Sequence, residues 1–164
     1  MTPVRRLRLG EGNLYRQVRL ESLKESPEAF GSTYENALAR DIDSWSTQAD
    51  SSADGSDRAT YIIEDTNPLG LAAIYRDDST SSEGELIQMW VAPELRGKDA
   101  AKALLDELFL WAATNNLSIV RAEVYRNNIK ALRFYENYGF TISSHDSETT
   151  VTLAKPVEPI QCNQ

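Results

Sequence analysis

The sequence predicts a single mixed α/β domain in which one sheet carries helices on both faces. Three observations point there. The 164 residues suit one hydrophobic core, and a second independent core is unusual at that length. The composition, 41% hydrophobic and 26% charged, is that of a globular chain rather than a disordered or fibrous one. Strand-like and helix-like stretches follow one another as β-α-α-β-β-β-α-β-α-β-β, an order that packs as a sheet layered with helices.

The elements can be taken in turn. Val4 to Leu9 alternates apolar residues with arginines as a first strand. From Asn13 the period turns helical, with Leu14, Val18 and Leu23 on one face, until Ser26-Pro27, where proline ends the helix or opens a turn. Ser32 or Thr33 caps a second helix through Ala39, its continuation around Trp45 left open. Ser46 to Arg58, rich in Ser, Asp and Gly, reads as a mobile loop. Ala59 to Glu64 and Leu69 to Tyr75 form a hairpin across Asp65-Thr-Asn-Pro68. A polar turn, Asp77 to Gly84, leads into the strand Glu85 to Ala92, ended by Pro93. Asp99 to about Asn115 gives the longest helical pattern, with Leu104, Leu108, Trp111 and Ala112 on one side and Leu105 and Phe109 widening it. Ser118 to Tyr125 is a strand, and Asn128 to Tyr138 a helix closed by Gly139. Phe140 to Ser144 and Glu148 to Ala154 finish as a strand pair. Residues 1–155 thus form one domain, and residues 156–164 a loose C-terminal tail.

Several functions drop out. The one cysteine, Cys162, has no partner for an intrachain disulfide, and the one histidine, His145, has no neighbours that would build a zinc site. A lone histidine also disfavours Ser-His-Asp and Cys-His hydrolases. The first ten residues lack the apolar core of a signal peptide, and no apolar run reaches the roughly 18 to 20 residues of a membrane span. The expectation is a cytoplasmic protein with no membrane partner. A net charge of −8 has the wrong sign for a nucleic-acid binder, and Arg5, Arg6 and Arg8 read as the outward face of the first strand. Excess acid attracts cationic amines, although it serves solubility equally well.

The chemistry lies between Glu85 and Phe140. A strand closing in Met89-Trp-Val-Ala-Pro93 runs through Arg96, Gly97, Lys98 and Asp99 into Ala100-Ala101-Lys102 and the long helix. A strand, a tight basic loop and a helix start together make an anion site, because the unpaired amides and dipole of the first turn point at whatever sits there. Arg96, Lys98 and Lys102 add positive charge around a phosphate or pyrophosphate. A helix with a basic start and no ligand is the plainer reading of the same residues.

These residues resemble the GNAT superfamily of acetyl-coenzyme A-dependent N-acetyltransferases. Its pyrophosphate loop, Arg/Gln-x-x-Gly-x-Gly/Ala, appears as Arg96-Gly97-Lys98-Asp99-Ala100-Ala101. Downstream, Asn128-Ile-Lys-Ala131 and Tyr135-Glu-Asn-Tyr-Gly139-Phe140 are similar to the family's Asn-x-x-Ala and Tyr-Glu-x-x-Gly-Phe patterns. Upstream, Arg19-Leu-Glu-Ser-Leu23 and Ser26-Pro-Glu-Ala-Phe30-Gly31 are similar to one bacterial subgroup. The resemblance covers most of residues 4 to 155 in the right order, and the set is far more specific than any one motif.

The resemblance implies a largely antiparallel sheet of six to seven strands. It also implies a transfer of acetyl from acetyl-CoA to a primary amine of a small molecule or protein, by direct attack in a ternary complex and without a metal. Amides of the Arg96–Lys102 loop, Asp99 and Ala101 included, would hold the pyrophosphate. The backbone at Met89 and Val91 would meet the pantetheine arm and the thioester. Asn128 would contact the pantetheine and cap its helix. Tyr135 would bind near the sulfur and protonate the departing thiolate. Glu85 matches the place where some members keep a general base, with Glu83 and an ordered water as alternatives. Phe30 and Tyr34 would help build the acceptor pocket, and a homodimer stays open.

One departure stands out. Asp99 occupies the central glycine of the loop. A charge about 5 Å from phosphate repels it by about 3 kcal/mol at an effective dielectric near 20, and by under about 1 kcal/mol in a wet loop. Asp99 is also a natural helix cap that would occupy the amides phosphate needs. A degenerate fold acting as a non-catalytic binding or sensor module is therefore the alternative.

Overall fold

The computed structural model describes residues 3–145 and 147–160, so Cys162 lies outside the described residues. The elements are β1 (Val4–Arg6), α1 (Gly12–Glu25), α2 (Tyr34–Leu38), α3 (Ile42–Ala53), β2 (Arg58–Glu64), β3 (Pro68–Tyr75), β4 (Glu83–Val91), α4 (Ala100–Thr114), β5 (Ile119–Tyr125), α5 (Ile129–Tyr138), β6 (Thr141–Ser144) and β7 (Thr150–Pro156). One seven-stranded sheet has the order β1-β2-β3-β4-β5-β7-β6. Neighbours are antiparallel except β4 and β5, which run parallel. A parallel pair needs a crossover, and α4 supplies it.

Side-chain alternation along the strands splits the core between the two faces. Tyr61, Ile63, Ala72 and Ile74 face one way and pack with Leu104, Leu105, Leu108 and Trp111 of α4. Ile62 and Leu71 face the other way and pack with Tyr15, Val18 and Leu23 of α1 and Trp45 of α3. The sheet is thus covered on both faces, as its element order predicts.

Three segments differ from the sequence reading. The stretch read as a mobile loop from Ser46 is helical as far as Ala53. Asp41 opens that helix by accepting the Ser44 amide at 2.7 Å, and Trp45, Ala49 and Ser52 form its buried stripe. Its small residues are there for packing, not for looseness. A Cβ placed on Gly12 would meet Ser46 Cα at 2.8 Å, so α1 and α3 lie too close for large side chains. The tail is also tied down further than expected. Pro156 pairs with Ile119, the Val157 amide donates to Ser118 O at 2.9 Å, and Val157 is buried. The first strand is shorter than its alternation suggests: Leu7 is buried, but Leu9 points into solvent.

Trp45 tests this arrangement. It is 1% exposed with its ring 5.5 Å from Tyr15. Trp45→Ala should lower unfolding stability by about 3 to 5 kcal/mol in urea denaturation. A loss under about 0.5 kcal/mol, the usual surface value, would contradict helical packing of this segment.

Candidate active site

β4 positions the site. Its ladder with β3 pairs Leu86 with Ile74 and Ile87 with Ala73, then resumes at Trp90 with Leu71 and Val91 with Gly70. Gln88 and Met89 together oppose Ala72, which makes a β-bulge, and Gln88 adopts φ 58° to form it. A polar chain holds the bulge. Tyr15 Oη donates to Gln88 Oε1 at 2.9 Å, Gln48 Nε2 donates to Tyr15 Oη at 3.0 Å, and Arg40 Nη2 donates to Gln48 Oε1 at 2.7 Å. On its other side β4 pairs with β5 only from Glu83 with Ile119 to Leu86 with Ala122. From there the two strands part.

The parting leaves a cleft of about 100 Å³ lined by Phe30, Met89, Val124, Asn128 and Tyr135 among others. The Ala92 amide donates across to Leu69 O on β3 at 2.8 Å. Because strand backbone groups alternate sides, those of Val91 face the open edge. Asn128 caps α5, its Oδ1 accepting the Ala131 amide at 3.2 Å, as its position in the sequence predicts. Tyr135, one helix turn from the C-terminus of α5, is 6% exposed and packs edge-on against Phe140 with ring centres 5.2 Å apart. Burial alone pushes its phenol well above the ordinary tyrosine range. Tyr135 thus lines the cleft with a phenol that burial makes reluctant to ionise.

Beyond β4 the chain makes a short 3-10 turn at Pro93–Leu95 and enters α4 through Gly97 at φ 77° and Asp99 at φ 62°. Among the described residues the amides of Gly97, Asp99, Ala100, Ala101 and Lys102 donate to no acceptor. Asp99 does not cap the helix, contrary to the sequence expectation, because a left-handed backbone turns its carboxylate away from the first-turn amides. The same conformation explains why glycine suits this place: only glycine adopts it without steric cost. The basic side chains also differ from expectation. Arg96 Nη2 donates to Glu25 Oε2 at 2.7 Å and Arg96 Nε to Val91 O at 3.1 Å, while Trp90 Nε1 donates to the same Glu25 oxygen at 2.8 Å. Arg96 thereby ties the loop to α1 and β4. Lys102 pairs with Asp106 at 3.1 Å, which leaves Lys98 as the loop cation without a carboxylate partner among the described residues.

A second cavity, of about 360 Å³, adjoins the cleft and shares Phe30, Glu123 and Tyr125 with it; Arg19, Glu85 and Thr150 are among the residues that line it alone. Burial pushes the Glu85 carboxyl above its ordinary range; Arg121 pulls it down, and Glu123 adds to the rise. Glu83, weighed as an alternative base, is exposed and paired with Arg121, whose hydrogen bonds hold its carboxyl low. Tyr34 begins α2 and packs toward the α1 side of the core, so it lines neither cavity. His145 is exposed just after β6. Sequence reasoning assigned no role to Arg19, although a signal was present: Arg19 falls on the buried stripe of α1 with Tyr15, Val18, Ser22 and Leu23.

The comparisons fit this architecture. The acetyltransferase (GNAT) family model matches residues 20–140, and the chain belongs to that family. Its fold is shared with a GNAT-family acetyltransferase from Streptococcus pneumoniae, at TM-score 0.78 and 14% identity over 96% of this chain and 100% of that one. It is similar to the PaiA N-acetyltransferase from Thermoplasma acidophilum in complex with coenzyme A, at TM-score 0.77 and 19% identity over 95% and 99%. A third neighbour is the spermidine N-acetyltransferase from Vibrio cholerae in complex with CoA and spermine, at TM-score 0.68 and 21% identity over 94% and 95%. No curated protein matches the chain in sequence. Among the described residues no helix is long and apolar enough to cross a membrane.

Asp99→Gly should relieve the left-handed strain and raise unfolding stability by up to about 1 kcal/mol. Removing the charge beside the free amides should also tighten acetyl-CoA binding several-fold at low salt, an advantage that shrinks as salt rises. Urea denaturation checks the first part, and calorimetric titration of the two proteins at low and moderate salt checks the second. Equal affinities would show that Asp99 does not oppose the ligand.

Proposed function

We propose that the protein transfers acetyl from acetyl-CoA to a primary amine by direct attack in a ternary complex. The observation that carries this reading is that one strand, β4, runs from Glu85 past the cleft where it leaves β5 and on toward a loop of free amides. The free amides of Gly97 and Asp99 to Lys102 suit a pyrophosphate at the start of α4. The open edge of β4 at Met89 and at the Val91 amide suits the pantetheine, the Val91 carbonyl being held by Arg96, with Asn128 and Tyr135 on the opposite wall. The likeness to proteins solved with coenzyme A supports the same assignment. A non-catalytic binding module keeps only the charge of Asp99 in its favour, because the side chain does not cap the first-turn amides.

When bound, acetyl-CoA supplies an activated thioester. Glu85 accepts a proton from the attacking amine, directly or through water, and its raised pKa makes it a stronger base than an exposed carboxylate. The amine nitrogen forms its bond to the acetyl carbon as the carbon–sulfur bond breaks. Tyr135 gives its proton to the departing thiolate and regains one from solvent. The products are the N-acetylated amine and free coenzyme A.

The purified protein should bind acetyl-CoA in a calorimetric titration and release thiol with at least one member of an amine panel. Tight binding without any thiol release would count against catalysis, and no binding up to millimolar acetyl-CoA would count against the whole reading. Tyr135→Phe should lower kcat roughly 100-fold with acetyl-CoA affinity little changed.

Glu85 supplies a pH test. It acts as a base only when ionised, so kcat/KM should fall on the acid side with a midpoint above the ordinary carboxylate range, and Glu85→Gln should abolish that limb. The stability sign is opposite. A carboxyl raised by burial stabilises the fold below its ordinary range and loses that contribution as pH rises through the raised value. At pH 7 Glu85→Gln should therefore leave unfolding stability equal or higher while transfer slows.

A further inference from the structure

The cavity that holds Glu85 also holds a cation that the reaction does not use. Arg19 projects from the buried stripe of α1 and is only 6% exposed. It has no carboxylate partner among the described residues. Among the described residues its one side-chain hydrogen bond is a long one, from Nη1 to Ser22 Oγ at 3.4 Å, and Ser22 Oγ itself donates to Arg19 O at 2.7 Å. The guanidinium lies over the Phe30 ring, 4.7 Å from its centre, and both side chains line the cavity.

A buried cation without a counter-ion is costly, and proteins rarely keep one unless a ligand supplies the missing charge. Glu85 and Glu123 line the same cavity, yet neither forms an ion pair with Arg19. The cavity therefore presents a base toward one part of its wall and an unpaired guanidinium toward another. With one guanidinium face covered by Phe30, its edge is left for a planar group that accepts two parallel hydrogen bonds, and a carboxylate has that shape. A doubly charged phosphate fits less well beside two glutamates. A polyamine fits least, because it would bring positive charge against Arg19 and nothing to pair with it.

Resting on the acetyltransferase reading above, we propose that the acceptor is an amino carboxylate: Arg19 pairs with its carboxylate while its amine turns toward Glu85. At about 360 Å³ the cavity lies at the small end of ligand sites, in keeping with a free amino acid or a short relative. Arg19 is then a specificity-determining residue that touches the substrate away from the reacting nitrogen.

The test uses the full chain with acetyl-CoA and two readouts. Glycine, β-alanine, 4-aminobutyrate, leucine and phenylalanine are each paired with their carboxamides, and spermidine is added. Thiol release measures transfer, and calorimetry on the CoA-saturated protein measures binding independently of transfer. At least one carboxylate should exceed its carboxamide roughly 10- to 100-fold in kcat/KM or affinity, the range of a charge-assisted hydrogen bond. Arg19→Gln should erase that preference by raising KM with kcat nearly unchanged, and Arg19→Lys should keep part of it. The unliganded Arg19→Gln protein should also unfold at an equal or higher urea midpoint, since it removes an uncompensated buried charge; a structural arginine would give a lower one. Best turnover with spermidine or the carboxamides, unaffected by Arg19→Gln, would overturn the proposal and leave the acetyltransferase standing. Carboxylate binding that depends on Arg19 without thiol release would leave Arg19 a carboxylate site but overturn the acceptor proposal together with the acetyltransferase reading. Failure of every carboxylate to bind or react would overturn the proposal as well.

Discussion

The parting of β4 from β5 is the constraint on which the rest of the site depends. These strands form the parallel pair of an otherwise antiparallel sheet, so both run toward the same edge. A helix follows each of them there, α4 after β4 and α5 after β5, and two helix N-termini flank the opening. Ligands of open α/β sheets bind outside the carboxyl ends of parallel strands for this reason. The bulge at Gln88 ends the β4–β5 ladder within four residue pairs and leaves a strand edge unpaired. An unpaired edge in a sheet interior is a demand for hydrogen bonds, which an extended, amide-bearing ligand arm can answer.

The site is assembled from locally unfavourable pieces. Gln88 and Asp99 both take left-handed backbone conformations, at a cost of roughly 1 to 2 kcal/mol each for an ordinary side chain. Glu85 is partly withdrawn from water, and Arg19 is buried without a counter-ion. Strain of this kind persists only where the surroundings over-determine it. Here they do. The Arg40-Gln48-Tyr15 chain fixes Gln88 from two helices, and Glu25 with Trp90 fixes Arg96 at the mouth of the loop. The two cores, one on each face of the sheet, hold those helices in place.

Much of this was legible in the sequence, and what was not has physical causes. Motifs read along one stretch of chain came out well placed: Asn128 caps α5, Gly139 closes it at φ 118°, and the Gly97 loop opens α4. Features that depend on contacts between distant segments were missed. The small residues of α3 imitate a loop in composition, because their helical role follows from the close approach of α1 at Gly12. Arg96 resembles a phosphate ligand until Glu25, 71 residues earlier, is seen to hold it. Tyr34 sits in the expected region of the chain but turns toward the core. A capping role for Asp99 failed on backbone conformation, which residue type alone does not determine. Arg19 was visible as a charge on an apolar stripe, but the stripe cannot say whether its neighbours neutralise that charge.

Global charge and local charge also give different guidance about the acceptor. The net charge of −8 favours cations in the bulk approach to the protein. That field is screened over about 8 to 10 Å at ordinary ionic strength, whereas groups inside a half-enclosed cavity are screened far less. Recognition therefore follows the cavity wall, where Glu85 and Glu123 face a lone buried guanidinium rather than a uniformly acidic surface. A zwitterion is drawn by both: its ammonium agrees with the long-range field and with the glutamates, and its carboxylate answers a buried guanidinium that no carboxylate among the described residues meets. Its amine must still shed a proton before attack. The raised affinity of Glu85 for protons places the group that can take it in the same cavity.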